Sequence, residues 1–437
     1  MKTLMRKSKF MIAAANSGAG KTTLTLGLLK ALSDMGLNVQ PFKCGPDYID
    51  TLLHTWACEN PSINLDLFMS STAHLNHLFA KYGGMADVSV VEGVMGLFDG
   101  YNKMEGSAAA VSKSLDLPVL LVVNAQASAY SVAALLYGFK NFDPQVNVKG
   151  VIFNCVGSES HYSYLKDACL DVGLEPLGYL PKDIEFEIPS RHLGLNTEDR
   201  EKIDNTLSHL STRIREQINI ERLLELTQVD ELPVMNQEEQ IEGSARLKIA
   251  VARDRAFSFM YHENIESFKS IGDVEYFSPL QDTSLPQADL VYLPGGYPEV
   301  FAEKLSRNRS MQQSIRNYVE CGGRLLAECG GMMYLTNSIT DEQGRNWPMV
   351  GLFDADCSME KMKLSLGYRY FDYKDIRFYG HEFHYSQMDS SNVSSEVQQY
   401  GARNQPVVTK LMRYKNVIAG YTHLYWADKA NWLSIFD

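Results

Sequence analysis

The chain has 437 residues, of which 45% are hydrophobic, too long for one ordinary domain and apolar enough for two packed cores. A formal net charge of -12, with no run of Lys and Arg interleaved with aromatics, argues against a nucleic-acid surface, so an anionic substrate needs a local basic pocket. Seven scattered cysteines without a Cys-x-x-Cys pair argue against a zinc site or a disulfide framework and fit a reducing cytoplasm.

Lys2, Arg6, Lys7 and Lys9 followed by an apolar run at 10–15 superficially resemble a signal peptide. The run is too short and leads straight into a glycine-rich loop, so it reads as a first buried strand. No apolar segment approaches the roughly 20 residues of a membrane span, and no membrane is expected. From residue 9 to about 185, aliphatic runs alternate with helical segments, which predicts a parallel sheet covered by helices. Its strands are placed at 10–15, 39–43, 88–92, 119–123, 148–154 and 177–180. A helix over 22–35 carries Leu24, Leu28, Leu29 and Leu32 on one stripe, with Gly36 at its left-handed end. From 196 to 245 the chain turns polar and charged, which predicts a helical segment closing in a linker at 236–244. A second alternating region, with strands at 247–252, 290–293, 324–327 and 417–421, predicts a second α/β domain. The predicted domains are 1–195, 196–245 and 246–437.

The loop after the first strand is Asn16-Ser17-Gly18-Ala19-Gly20-Lys21-Thr22. Ala15 stands at the first glycine of the Walker pattern and Gly20-Lys21-Thr22 completes it. Backbone N–H groups from Ser17 to Lys21 wrap a β-phosphate, Lys21 neutralises the β- and γ-oxygens, and the Thr22 hydroxyl suits magnesium. ATP and Mg2+ are therefore the expected co-substrate and ion. Partitioning ATPases with this loop carry an extra lysine where Asn16-Ser17 stand, which counts against that class. Acids gather at the ends of the next strands, where open α/β sheets place their sites. Asp47, Asp50 and Asp99 read equally well as turn residues beside Gly and Pro. Glu92, closing a buried aliphatic strand, is where an acid that holds magnesium belongs.

Farther on, Arg324-Leu325-Leu326-Ala327-Glu328-Cys329-Gly330-Gly331 reads as a strand, a tight turn and a helix start, the geometry of a nucleophile elbow. The helix N-terminus is expected to favour thiolate at Cys329. Cys155, Cys169 and Cys321 read as small core residues. The run Gly380-His381-Glu382-Phe383-His384-Tyr385-Ser386 invites a metalloprotease reading, but His384 falls one residue early for His-Glu-x-x-His and the segment is not helical.

The runs Pro41-Phe42-Lys43-Cys44-Gly45-Pro46-Asp47-Tyr48-Ile49-Asp50, Glu92-Gly93-Val94-Met95-Gly96-Leu97-Phe98-Asp99-Gly100 and Arg191-His192-Leu193-Gly194-Leu195 resemble those of cobyrinate a,c-diamide synthases, glutamine-dependent amidoligases of corrinoid biosynthesis. The resemblance runs nearly end to end. It implies a P-loop, dethiobiotin-synthetase-like domain followed by a class I glutamine amidotransferase-like α/β domain. Thr22, Asp47 and Glu92 would then surround magnesium, and Lys43, Asp50 and Asp99 would lie near the carboxylate being activated. Asn154 falls where related ATPases recognise adenine, and reads equally as a strand-end cap. His423 matches the late histidine of class I amidotransferases, the general base that Cys329 needs. Tyr425 stands where their usual His-x-Glu acid would be, which leaves a Cys-His dyad or an acid from elsewhere. The loop Leu293-Pro294-Gly295-Gly296-Tyr297-Pro298-Glu299 resembles the oxyanion loop, with N–H groups of Gly296 and Gly330 facing the developing charge. The implied partners are glutamine and an anionic polycarboxylate tetrapyrrole, and homodimers are common among related ATPase domains. The implied reaction is ATP-driven amidation of the a and c acetates of cobyrinate through acyl phosphates. Hydrogenobyrinate or nickel-sirohydrochlorin are alternative macrocycles, and a non-catalytic nucleotide switch is a rival of another class.

Overall fold

A computed structural model describes residues 7–182, 197–230 and 246–437; the motif at 191–195 and the linker at 236–244 lie outside them. The chain divides into two compact units, 1–237 and 238–437.

In chain order the first unit has β1 (Lys7–Ala14), α1 (Lys21–Asp34), β2 (Val39–Cys44), α2 (Ile49–Cys58), β3 (Ile63–Leu65), α3 (Thr72–Gly83), β4 (Val88–Glu92) and α4 (Ala108–Ser114). Then come β5 (Val119–Asn124), α5 (Val132–Asn141), β6 (Val148–Val156), α6 (Glu159–Asp171), β7 (Glu175–Pro181), α7 (Thr197–Gln217), α8 (Ile220–Leu226) and β8 (Gln228–Val229). The sheet order is β3-β2-β4-β1-β5-β6-β7, parallel along that path, with β8 antiparallel against the start of β1. Alternation along a strand sends successive side chains to opposite faces. Phe10, Ile12 and Ala14 accordingly pack with α1, while Met11 and Ala13 pack in the opposite layer with α3 and α4. Both faces are covered, which is why the strands read as continuous aliphatic runs. The central position of β1, between β4 and β5, brings the loop after it beside the ends of its neighbours.

The segment after 196 adds to this core. On α7, Ile203, Leu207, Leu210 and Ile214 are buried, three of them in the cluster that holds Leu24 and Leu28 of α1. Their spacing is a helical stripe, obscured in the sequence by the charged residues between them.

The second unit begins with β9 (Leu247–Ala252), α9 (His262–Ile271), β10 (Gly272–Phe277), β11 (Leu290–Leu293), α10 (Ala302–Arg307), α11 (Arg309–Glu320), β12 (Arg324–Glu328), α12 (Gly330–Leu335), β13 (Thr336–Thr340), β14 (Asn346–Pro348) and β15 (Phe353–Ser358). It continues with β16 (Ser365–Tyr373), β17 (Ile376–His384), β18 (Gln387–Asp389), β19 (Gln399–Gly401), β20 (Pro406–Val407), β21 (Leu411–Tyr414), β22 (Val417–Gly420) and β23 (His423–Tyr425). Its main sheet, β10-β9-β11-β12-β22-β21, is parallel except for β21. Two further sheets, β14-β13-β15-β18 and the antiparallel β20-β19-β16-β17-β23, were not foreseen in the alternating pattern. The last of these lays β17 along β23, with His381 opposite His423.

Candidate active sites

In the first unit the predicted acids and lysines converge at the carboxyl ends of β1, β2 and β4. Gly20 starts α1 at φ +96°, and a Cβ there would fall 2.1 Å from the Asn154 side-chain nitrogen, so only glycine fits. Asn154 Nδ2 donates to Ala19 O at 3.0 Å and braces the loop from β6. Lys21 Nζ donates to Met95 O at 2.5 Å, which puts the 93–99 segment over the loop. Asp99 Oδ2 accepts from Gly96 N at 2.9 Å within that segment, and its charge, with those of Glu92, Lys43 and Asp50, is felt at Lys21. Burial is the main influence on Lys21 and lowers it from the ordinary lysine value.

Glu92 is the hub. Its Oε1 accepts from the Thr22 hydroxyl at 2.8 Å and from Lys43 Nζ at 2.8 Å, and its Oε2 lies 2.7 Å from His54 Nε2. Lys43 also pairs with Asp50 at 2.7 Å, so its buried ammonium sits between two acids. Burial alone would raise the Glu92 carboxyl; Lys43 and the hydrogen bond from His54 outweigh it and hold Glu92 well below the usual carboxylate range. Burial would likewise lower Lys43, but Glu92, Asp50 and Asp47 raise it. Asp47 Oδ1 accepts from the N–H groups of Ile49 and Asp50 and so starts α2. His54, also fully buried, is the member that sequence reasoning missed; its position four residues after Asp50 puts both on one face of α2.

These residues fit magnesium as phosphate-binding proteins hold it. Among the described residues no three His, Cys, Asp or Glu side chains form a cage of their own. Magnesium keeps few protein ligands and takes the rest from phosphate and water, which suits the Thr22 hydroxyl beside the Glu92 carboxylate.

In the second unit the elbow is real. Cys329 has φ +47°, a conformation costing about 1–3 kcal/mol for a non-glycine residue, between β12 and α12. Its N–H donates to Gly420 O at 2.7 Å, and Met333 N donates to its carbonyl at 2.9 Å. A Cβ on Gly331 would lie 2.1 Å from Leu293 O, so the helix can start this close to β11 only with glycine there. Pro298 lies over Gly330, and the Gly296 nitrogen falls 3.0 Å from where a Gly330 Cβ would be, which brings the two predicted oxyanion glycines together. The same loop reaches His423, since a Cβ on Gly295 would stand 2.2 Å from the His423 Cε1. Glu328 fixes the strand register: it accepts from Tyr292 Oη at 2.7 Å and from Leu424 N at 3.0 Å, one residue from Cys329 and one from His423. Burial pushes its carboxyl up to about 8 against those bonds.

The helix terminus expected to favour thiolate is opposed by burial. Burial above all, and then the charge of Glu299, push the Cys329 thiol well above its usual range, and a six-residue helix does not reverse this. Burial and neighbouring His384 push His423 down to about 3. Burial thus favours the neutral form of each group. Of the cysteines read as core residues, Cys169 is buried and Cys321 is exposed. Glu299, at the end of the oxyanion loop, is raised to about 7 by burial and by Glu342, so its charge on Cys329 develops above neutral pH. Glu299→Gln should therefore speed alkylation of Cys329 above pH ~7, up to about tenfold for one pKa unit, and change nothing at pH ~5.5, where Glu299 is already neutral. Mass spectrometry of the labelled peptide measures this, and equal rates at high pH would show that Glu299 does not act on the thiol.

The 380–386 run lies largely on β17. There Glu382 pairs with Arg369 at 2.8 Å and accepts from the Thr422 hydroxyl at 3.2 Å, while His384 stacks on Tyr421 at 3.6 Å. His381 stacks on His423. The strand therefore grips 421–423, a role carried by cross-strand neighbours that lie some 40 residues away along the chain.

A phosphate loop on a parallel sheet and a cysteine elbow beside a histidine define a nucleotide-binding, glutamine-dependent amidotransferase. Residues 10–195 match the CobQ/CobB/MinD/ParA nucleotide binding domain family, and residues 248–431 match the CobB/CobQ-like glutamine amidotransferase domain family. The chain is 43% identical to a cobyrinate a,c-diamide synthase of Caldanaerobacter subterraneus subsp. tengcongensis over 95% of its length and 94% of the relative's. It is 41% identical to one of Listeria monocytogenes over 88% of each chain, and 38% identical to one of Methanocaldococcus jannaschii over 96% of each. The chain belongs to the cobyrinate a,c-diamide synthase family. Among its described residues no helix is long and apolar enough to cross a membrane.

Proposed function

We propose that the chain uses ATP and glutamine to convert the a and c acetate carboxylates of cobyrinate to amides. The observation that carries this reading is the presence in one family member of a phosphate loop with its acids and of a buried cysteine elbow whose neighbouring glycine loop also reaches a buried histidine. His423 takes the Cys329 proton as the sulfur attacks the side-chain amide carbon of glutamine. The N–H groups of Gly296 and Gly330 receive the oxyanion, and His423 returns the proton to the departing ammonia. Water then hydrolyses the γ-glutamyl thioester to glutamate. In the first unit a substrate carboxylate attacks the γ-phosphoryl of ATP, giving an acyl phosphate and ADP, while Lys21 balances charge on the transferred group. Ammonia attacks the acyl carbon and phosphate leaves. Thr22, Glu92 and Asp47 are the residues to hold magnesium, which when bound neutralises the phosphate oxygens. Lys43 and His54 keep Glu92 ionised and in place, Asp50 is held by Lys43, and Asp99 stays near Lys21.

Cobyrinate, hydrogenobyrinate and nickel-sirohydrochlorin, each incubated with ATP, magnesium and glutamine and read by mass, test the assignment. Two carboxyl-to-amide exchanges on cobyrinate are expected; exchange on one of the other macrocycles alone would replace the substrate while keeping the reaction. The magnesium reading is tested by Glu92→Gln, which removes one charge from the Thr22 side of the loop. Ammonia-driven turnover should fall by about 10²–10³-fold and need more magnesium. Wild-type turnover with wild-type magnesium dependence would return Glu92 to a structural role.

A further inference from the structure

We infer that His381, braced by Tyr261 and Tyr425, positions the imidazole of His423 by stacking, in place of the carboxylate that the His-x-Glu pattern supplies. This rests on the reading of His423 as the glutaminase base. The two imidazole rings are 5.0 Å apart at 19°, and their residues face each other across the β17–β23 pair. A stacked ring fixes tilt and limits rotation about the side-chain bonds, which is what a base must keep to meet a sulfur in one direction. His381 is itself held. The Tyr261 hydroxyl lies 2.7 Å from its Nδ1, at the start of α9, and all three side chains are buried.

Tyr425 completes the bracket. It occupies the position where the acid would stand, two residues after His423, and its ring packs edge-on against Tyr261 at 5.3 Å. The aromatic residue that breaks the expected pattern is thus joined through Tyr261 and His381 back to the histidine it follows. Gly295 also packs against this ring, since a Cβ there would fall 2.2 Å from Cε1 of His423. The ring is therefore confined by the oxyanion loop and by His381 together, and the loop that receives the oxyanion also limits where the base can move.

His381→Ala should lower kcat for glutamine hydrolysis about 10²-fold, as a misplacement near 1 Å does, with KM for glutamine within about twofold. His381→Phe keeps a stacked ring and should recover all but about tenfold of the rate, and Tyr261→Phe, which loses only the hydroxyl, should cost a similar amount. Ammonia-driven synthesis should stay at wild-type values in all three. Wild-type kcat in His381→Ala, or a raised KM with unchanged kcat, overturns the proposal. If the alanine variant melts early, failure of His381→Phe to retain more activity than a ringless replacement such as His381→Leu overturns it instead. His423→Ala, measured alongside, separates the two readings: if it hydrolyses glutamine normally the base is wrongly assigned, whatever His381 does.

Discussion

Replacing Cys329 by alanine is expected to abolish glutamine-driven amidation and leave ammonia-driven amidation intact. Removing a covalent nucleophile costs on the order of 10⁶-fold, because the remaining groups act as a unit with it. Cys329 is buried at the elbow between β12 and α12, in the second unit. The ion-pair knot of Lys43, Asp50 and Glu92 belongs to the first. Ammonia supplied at high concentration and mildly alkaline pH, where more of it is unprotonated, should still intercept the acyl phosphate. Product by mass with each nitrogen source is the measurement. Glutamine-driven product from Cys329→Ala would mean another nucleophile, and loss of both routes in a folded variant would mean that the two chemistries are not separable.

What could be read before the structure was known follows the range of the interaction involved. Strands buried on both faces announce themselves as aliphatic runs, so β1, β4, β5, β9 and β12 lie close to their predicted places. Gly36 takes φ +81° at the end of α1, as its place after a leucine stripe implies. The phosphate loop and the elbow are equally local, each a strand, a tight turn and a helix. The partners of Glu92 are not local: Thr22, Lys43 and His54 come from three different elements, 70, 49 and 38 residues away. Periodicity does not place a side chain in a network assembled by the sheet order.

The same distinction explains the second unit. The pairings of the antiparallel sheet β20-β19-β16-β17-β23, such as Arg369 with Gly401 and His381 with His423, depend on returns of the chain that no run of residues records. The thiolate expectation meets an energetic cost that the sequence does not display. A helix terminus contributes about 0.3–1 kcal/mol to a nearby charge, whereas complete burial opposes ionisation by several pKa units. Cys329 is only 5% exposed, so burial weighs against its ionisation.

Lys21→Ala should abolish amidation with glutamine and with ammonia alike, by about 10³-fold or more, because this ammonium meets charge that grows on the transferred phosphoryl group. The surroundings of Lys21 suit that role, since it is largely buried, its nitrogen donates to Met95 O, and the charges of Glu92, Asp50 and Asp99 reach it. Burial lowers it from the ordinary lysine value, and those acids oppose the shift. The backbone N–H groups of the loop are unaffected by the substitution, so the loss should fall on kcat more than on the apparent affinity for ATP. Glutamine hydrolysis, carried by Cys329 and His423, should persist without amide product, the converse of the Cys329→Ala result. ADP release and product mass, followed with each nitrogen source, measure both. Near-normal ATP-dependent amidation by Lys21→Ala would refute the phosphate-loop assignment, and a rise in KM for ATP with unchanged kcat would confine the lysine to holding the nucleotide.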